Sequence, residues 1–336
     1  MRGSKLLGML VLILGALGCR QDSAERLVIL PKDHPLEFAL TYFPEYPRNL
    51  VGSGTVFTVE GGIRQYLSPW PPRLLDRIEC LVDGQVVRTL QPTDLWQKFP
   101  FNTPYIQPFP DRWTYYFQCD VDRFGVPGRG KKVVVRVWQK GSAVPMEGEV
   151  EYHYDDADLS QKALEFIRGP MTGDVPGNPD RRTRRLSDTT VYVKNEIPGM
   201  QLPIERALNQ YMSKWTGLRF IFTDREDVRP LLIYRNGPGF GARGVEWNPN
   251  NIYETWKWIL ELGSRTTHNP DDLYGEMVVI CHETGHAIGL PHTGCDGVFM
   301  DAGSASGSDC GRLRLHPYQQ MAVKMVYSKP PGYSWR

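Results

Sequence analysis

The chain has 336 residues, enough for two ordinary domains with their own cores. Its net charge of +1 gives no electrostatic footprint for nucleic acid or for a strongly charged substrate. With 33 Gly, 27 Pro, 16 Tyr and 9 Trp, the composition suits β-rich, loop-rich exported domains rather than a helical protein.

Residues 1–18 read as a signal peptide. A basic start, Met1-Arg2-Gly3-Ser4-Lys5, precedes an apolar run from Leu6 to Gly18 that is too short to span a bilayer comfortably. The run ends Ala16-Leu17-Gly18-Cys19, and a small residue directly before a lone Cys resembles a bacterial lipobox. On that reading Cys19 becomes the lipidated first residue. The protein is then exported and held by acyl chains at the outer membrane or cell surface. Ala16 stands where Leu is commoner, and ordinary signal cleavage with secretion is the alternative. Arg20 after the Cys, in place of Asp, gives no argument for inner-membrane retention.

Residues 19–54 form an exposed lead-in, interrupted by Pro31, Pro35, Pro44 and Pro47. Residues 55–155 are expected to form a β-sandwich domain of immunoglobulin-like type. Its short β-prone runs are Thr55-Val59, Ile78-Val82, Val86-Leu90, Trp113-Val121, Lys132-Gln139 and Val150-Tyr154, with Asp83-Gly84 as a hairpin turn. Cys80 and Cys119 lie on two of these runs and are disulfide candidates between sheets. The tyrosine expected two positions before the second Cys of an immunoglobulin domain is replaced by Phe117.

Residues 156–188 are expected to be a helix, Leu159-Ile167, and a linker containing Arg181-Arg182-Thr183-Arg184-Arg185. The basic run reads as a solvated linker or as a processing site. A second domain follows over residues 189–336. Thr189-Val193 is its first strand. Gln201-Trp215 is its clearest helix, with Ile204, Ala207, Leu208, Tyr211, Met212 and Trp215 on one face and Gly217 just beyond the end. Leu218-Phe222 and Leu231-Tyr234 are strands, Gly237 to Gly244 a glycine-rich loop, and Val245-Trp247 a short edge strand. Ile252-Leu262 fits strand and helix alike. A helix opening near Asp271-Asp272 carries the next motif, and a last helix covers about Pro317-Tyr327.

The motif is Cys281-His282-Glu283-Thr284-Gly285-His286-Ala287-Ile288-Gly289-Leu290-Pro291-His292, or H-E-x-x-H-x-x-G-x-x-H. On a helix, His282 and His286 are one turn apart and project from one face. That spacing suits two imidazole ligands of one Zn²⁺, and a turn at Gly289 can bring in His292 as a third. Three protein ligands leave a fourth position open, as in a catalytic zinc site. Glu283 points off the ligand axis and suits a general base. Five fixed residues at average usage would coincide by chance with odds on the order of one in 10⁵.

The segment resembles the zinc signature of the metzincin metalloendopeptidases, and within them the matrixin-type branch. Met300, 300 − 292 = 8 positions after His292, is similar to the Met-turn of that clan. The resemblance covers roughly residues 189–330. It implies an α+β fold, a metzincin-like zinc protease domain preceded by the β-sandwich. It implies one catalytic zinc, a peptide or protein substrate, and a zinc-bound water activated by Glu283. Only His268 lies where some matrixins place a second zinc site, and Ala302 replaces the extra tyrosine ligand of other metzincins, so neither feature is expected. Calcium is compatible with the resemblance but no residue pattern supports it.

Cys281 is read as a buried structural thiol. Cys295 and Cys310, 310 − 295 = 15 positions apart around a Gly- and Ser-rich loop, are disulfide candidates. Such a bridge would contribute roughly 3 kcal/mol by constraining the unfolded chain. Two other readings stay open: a surface binding protein with a vestigial protease domain, and a zymogen whose N-terminal part is a pro-region. The P-R-C-G switch of matrixins is absent. The oligomeric state has no signature in the sequence.

Overall fold

Strand formation follows β-branched residues at alternate positions, as at Val133, Val135 and Val137. A computed structural model describes residues 36–41, 49–64, 72–96, 114–173, 181–263, 273–294, 298–301 and 312–336. The N-terminal half holds two sheets. The first is three-stranded, in the order β1 (Glu37–Thr41), β3 (Phe57–Arg64), β6 (Thr114–Val121). The second is five-stranded: β2 (Leu50–Val51), β8 (Met146–Tyr154), β7 (Gly128–Gln139), β4 (Leu75–Val82), β5 (Gln85–Leu90).

Both sheets feed one apolar core. Val133, Val135 and Val137 are fully buried on alternate positions of β7 and meet Ile78 and Cys80 of β4 and Val59 and Phe117 of the other sheet. Cys80 and Cys119 are joined as a disulfide that ties the five-stranded sheet to the three-stranded one. Asp83 and Gly84 both take positive φ in the two-residue turn between β4 and β5, the conformation an Asp-Gly hairpin demands. The lead-in is not wholly exposed. Its β1 pairs with β3 and its β2 with β8, and Leu36, Leu50 and Val51 are buried.

Helix α1 (Asp156–Phe166) is capped by Asp155, whose carboxylate accepts from the Ala157 and Asp158 N–H groups. The basic run beyond it is partly buried: Arg181 is exposed, Arg182 and Arg184 are half-buried, and Thr183 and Arg185 are buried. Arg185 and Leu186 form β9, which pairs in parallel with Glu254 and Thr255, and both are buried. Arg182, Arg184 and Arg185 lie over the rings of Tyr253, Trp247 and Tyr327. Stacking on aromatic faces gives each guanidinium a place that sequence charge alone does not show.

The third sheet runs β11 (Arg219–Phe222), β10 (Thr190–Asn195), β12 (Leu231–Arg235), β14 (Asn251–Leu262), β13 (Phe240–Asn248), with β9 against β14. All pairings are parallel except that of β13, which closes one edge antiparallel. Ile252–Leu262, ambiguous in the sequence, is strand throughout. The helix expected over Gln201–Trp215 forms as α2 (Gln201–Arg206), a π-helical stretch (Ala207–Met212) and α3 (Ser213–Thr216), ended by Gly217 at φ +75°. Helix α4 (Leu273–Ala287) and helix α5 (Pro317–Tyr327) complete the chain.

These elements correct the expected fold class. Among the described residues, fourteen strands in three sheets stand against five short α-helical segments. The chain is mostly β, and an α+β, matrixin-like domain behind an immunoglobulin-like sandwich is not what it shows. The physical reason lies in stretches such as Ile252–Leu262 and Phe240–Asn248. There, cross-strand pairing organises residues whose local pattern was ambiguous or read as loop. The two halves are in direct contact. Val56 of the N-terminal half exchanges two hydrogen bonds with the Gln320 side chain of α5, at 2.9 and 2.7 Å. Among the described residues no helix is long and apolar enough to cross a membrane. Residues 1–18, expected to be a signal peptide, lie outside them, as do Cys19, Cys295 and Cys310.

Candidate metal centre

Helix α4 is buried along nearly its whole length, so its polar residues near the C-terminal end are set in an apolar frame. His282 and Glu283 are buried, His286 is half-buried, and His292 is exposed. The helix stops because Gly289 turns the chain at φ +97°. A Cβ there would come within 2.6 Å of the Arg184 carbonyl oxygen, so both conformation and space call for glycine. The turn brings His292 back over the helix.

The three imidazoles converge. Nε2 of His286 lies 3.0 Å from Nε2 of His292 and 3.2 Å from that of His282, and the His282–His292 distance is also 3.2 Å. Three nitrogens bound about 2.1 Å from one tetrahedral ion would lie about 3.4 Å apart. The far sides of two rings are fixed. His282 Nδ1–H donates to the Phe299 carbonyl at 2.7 Å, and His286 Nδ1–H donates to the Leu290 carbonyl at 3.1 Å. With the proton held at Nδ1, the Nε2 lone pairs of both rings face the point of convergence. Two lone pairs so directed, with His292 Nε2 within 3.2 Å of both, form a donor set that fits a metal ion.

Electrostatics agree. Burial lowers His282 and His286 from their ordinary value to about 4, the neighbouring imidazoles adding to the effect, which keeps both neutral and able to ligate. Burial alone pushes the Glu283 carboxyl up to about 7. A Cβ on Gly241, in edge strand β13, would stand 3.9 Å from Glu283 Oε2. The carboxyl group is therefore beside the backbone of the sheet edge.

Met300 is fully buried beneath the helix. A Cβ on Gly285 would fall 2.2 Å from its sulfur, so that glycine lets the thioether lie directly against the helix backbone between the two ligand-bearing turns. Cys281 is buried on another face. Its thiol points to the Ala207 carbonyl at 3.8 Å, and burial pushes it well above its ordinary value. It is a packing residue at the contact with the π-helical stretch. His153 lies on β8 and His316 precedes α5, and neither joins the cluster. His34, His268 and Ala302 lie outside the described residues.

Several supports escaped the sequence reading. Thr293 Oγ1 donates to Asp301 at 2.8 Å, and Thr293 N–H donates to the Met300 carbonyl at 3.0 Å. Trp215 stacks on Phe299, with ring centroids 5.5 Å apart and planes 14° from parallel. Tyr234 and Thr284 share a hydrogen bond of 2.6 Å between sheet and helix. Asp301, immediately after Met300, was the one signal available in advance.

No family model matches the chain, and no curated protein does. Among solved structures, similarity is found to fibronectin(III)-like modules of Clostridium thermocellum CbhA. There the identity is 14%, coverage is 37% of this chain and 48% of that one, and the TM-score is 0.22. An endo-β-1,4-mannanase from Thermotoga petrophila is 13% identical over 39% of this chain and 22% of that one, with a TM-score of 0.20. A family 123 glycoside hydrolase from Clostridium perfringens is 6% identical over 73% of this chain and 45% of that one, with a TM-score of 0.24. In each case the chain spans less than half the length of the protein it resembles.

Proposed function

We propose that the chain is a zinc-dependent endopeptidase, exported and tethered at the cell envelope through a lipidated Cys19. One observation carries the reading. Three imidazole nitrogens meet within 3.2 Å of one another beside a buried glutamate whose carboxyl is poised near neutrality. The resemblance of His282-Glu283 to His292 to the metzincin zinc signature supports the choice of zinc and of a peptide bond as target.

His282, His286 and His292 would hold the ion. When bound, zinc polarises a carbonyl oxygen and makes a coordinated water more acidic. Glu283 takes a proton from the water that attacks the peptide carbonyl. As the C–O bond forms and the C–N bond breaks, the same carboxyl delivers that proton to the leaving amine. An acid near pH 7 suits both steps, because it accepts and releases a proton at little cost. Edge strand β13 leaves one row of backbone N–H and C=O groups beside Glu283, and an extended peptide can pair with that row. Met300 and the fixed Nδ1 protons hold the ligand set rigid.

A peptide-library cleavage assay tests the proposal, with wild type and Glu283→Ala, each with and without chelator. Cleavage by zinc-loaded wild type alone is the expected result. Zinc-loaded wild type that cleaves no peptide would leave a binding protein with a vestigial centre as the better reading.

A further inference from the structure

We infer that the N-terminal β-sheets are a structural part of the zinc centre, and that Glu60 is a positioning residue for His282. The inference rests on the metal reading above and concerns what holds that metal's first ligand. Glu60 lies on β3, with none of its side chain exposed. Its carboxylate accepts from Gln118 Nε2 at 2.8 Å and stands 3.8 Å from the Arg314 guanidinium. Arg314 is buried and belongs to the segment that returns from the Met300 region toward α5. The Arg314 carbonyl accepts from the Phe299 N–H at 3.3 Å, and the Phe299 carbonyl accepts from His282 Nδ1–H at 2.7 Å. An unbroken path thus runs from a strand of the N-terminal half to a metal-ligating ring.

Two more contacts fix the same segment from the same side. Gln118 on β6 donates to the Leu313 carbonyl at 2.9 Å. Tyr116, also on β6, meets Tyr274 of the histidine-bearing helix edge to face, and the Tyr274 hydroxyl accepts from the Leu313 N–H at 2.9 Å. A buried carboxylate and guanidinium are costly to desolvate, and apolar packing would hold two halves together at least as well. What the charged pair adds is a single allowed register for Arg314, and so for Phe299. The N-terminal half is therefore not a pro-region to be released, since releasing it removes the anchor of His282.

The test is zinc affinity by chelator competition on the full chain, with thermal unfolding recorded beside it, for wild type, Glu60→Gln, and the double variant Glu60→Gln/Arg314→Met. Loss of a group that orients a ligand weakens metal binding by about 10-fold to 100-fold. The expected result is a loss at the lower end of that range in both variants. The double variant regains thermal stability, because no unpaired charge stays buried, and yet does not regain zinc affinity. If the double variant recovers affinity together with stability, Glu60 is merely structural and the inference is overturned. Unchanged affinity in both variants overturns it as well, and if Glu60→Gln does not fold, the double variant decides alone. Wild type that binds no zinc defeats the metal reading itself, a result distinct from variants that match a zinc-binding wild type.

Discussion

The Thr293 hydroxyl donates to the Asp301 carboxylate at 2.8 Å, and Asp301 also accepts from the Val298 N–H at 3.3 Å. The residue after the third histidine is thereby fastened to the residue after Met300. His292 is the most exposed of the three clustered histidines and has no helix to hold it. Asp301 supplies that constraint. Asp301→Ala should weaken zinc binding by about tenfold and leave the helix ligands in place. Metal titration read against the unfolding temperature checks this, and an unchanged affinity counts against the constraint.

Glu283→Gln should keep zinc at wild-type stoichiometry and lose peptide hydrolysis by about 10²-fold to 10⁴-fold, the usual worth of a positioned base. Metal analysis of the purified variant, beside rates on a peptide that wild type cleaves, separates the two effects. Loss of both zinc and activity would make Glu283 a structural residue.

Gly289→Ala should destabilise the chain by about 1–3 kcal/mol, because φ +97° strains any side chain. The new methyl would also press on the Arg184 carbonyl. The change displaces the turn that carries His292, so zinc affinity falls with the unfolding temperature. A stable variant with intact affinity would show that the turn relaxes freely.

Acidity should act on the metal-free chain in two opposed ways. His282 and His286 have folded values of about 4, below the ordinary 6.5. The stability they contribute is present above pH 6.5 and is lost as pH falls through about 4. Glu283, raised to about 7 from 4.5, contributes stability that is present below pH 4.5 and lost as pH rises through about 7. Two histidines outweigh one glutamate, so the unfolding temperature should fall between pH 6.5 and 4, and fall more steeply in Glu283→Gln. Zinc competes with protons for the same nitrogens. It should therefore stay bound well below pH 6.5, where ordinary imidazoles release it. Melting curves and zinc retention across pH 4–8 give both readouts.

Native chain should resist trypsin after Arg182, Arg184 and Arg185. Arg185 is buried in a paired strand, and Arg182 and Arg184 lie over aromatic rings. Limited proteolysis with mass mapping checks it, and rapid cleavage there would mean the segment is not seated as described.

The convergence of His282, His286 and His292 was legible because its geometry is local. A spacing of four on a helix and a glycine before the third histidine need no knowledge of distant chain. The hairpin at Asp83-Gly84 was legible for the same reason. What failed depended on partners far away in sequence. Leu50 and Val51 sit among prolines that suggest an exposed lead-in, yet β8 pairs with them a hundred positions later. The arginines of 181–185 carry the charge of a linker, yet Arg182, Arg184 and Arg185 lie over Tyr253, Trp247 and Tyr327, and Arg185 also donates to the Leu186 and Lys329 carbonyls. The fold class was misjudged through the same gap. Ile252–Leu262 offered both periods, and its neighbours decided for strand. The support of His282 by Phe299 was invisible because a backbone carbonyl leaves no mark in sequence.

The segment behind Gly289 is itself held by residues near the C-terminus. Trp335 N–H donates to the Arg181 carbonyl at 3.2 Å, and its indole N–H donates to Thr183 across 152 positions of chain. Closing so long a loop is slow and entropically costly. During synthesis, a chain that has already produced all three histidines still lacks the residue that pins the strand against their turn. The order of the sequence thus delays the seating of that strand behind Gly289 until Trp335 has been made.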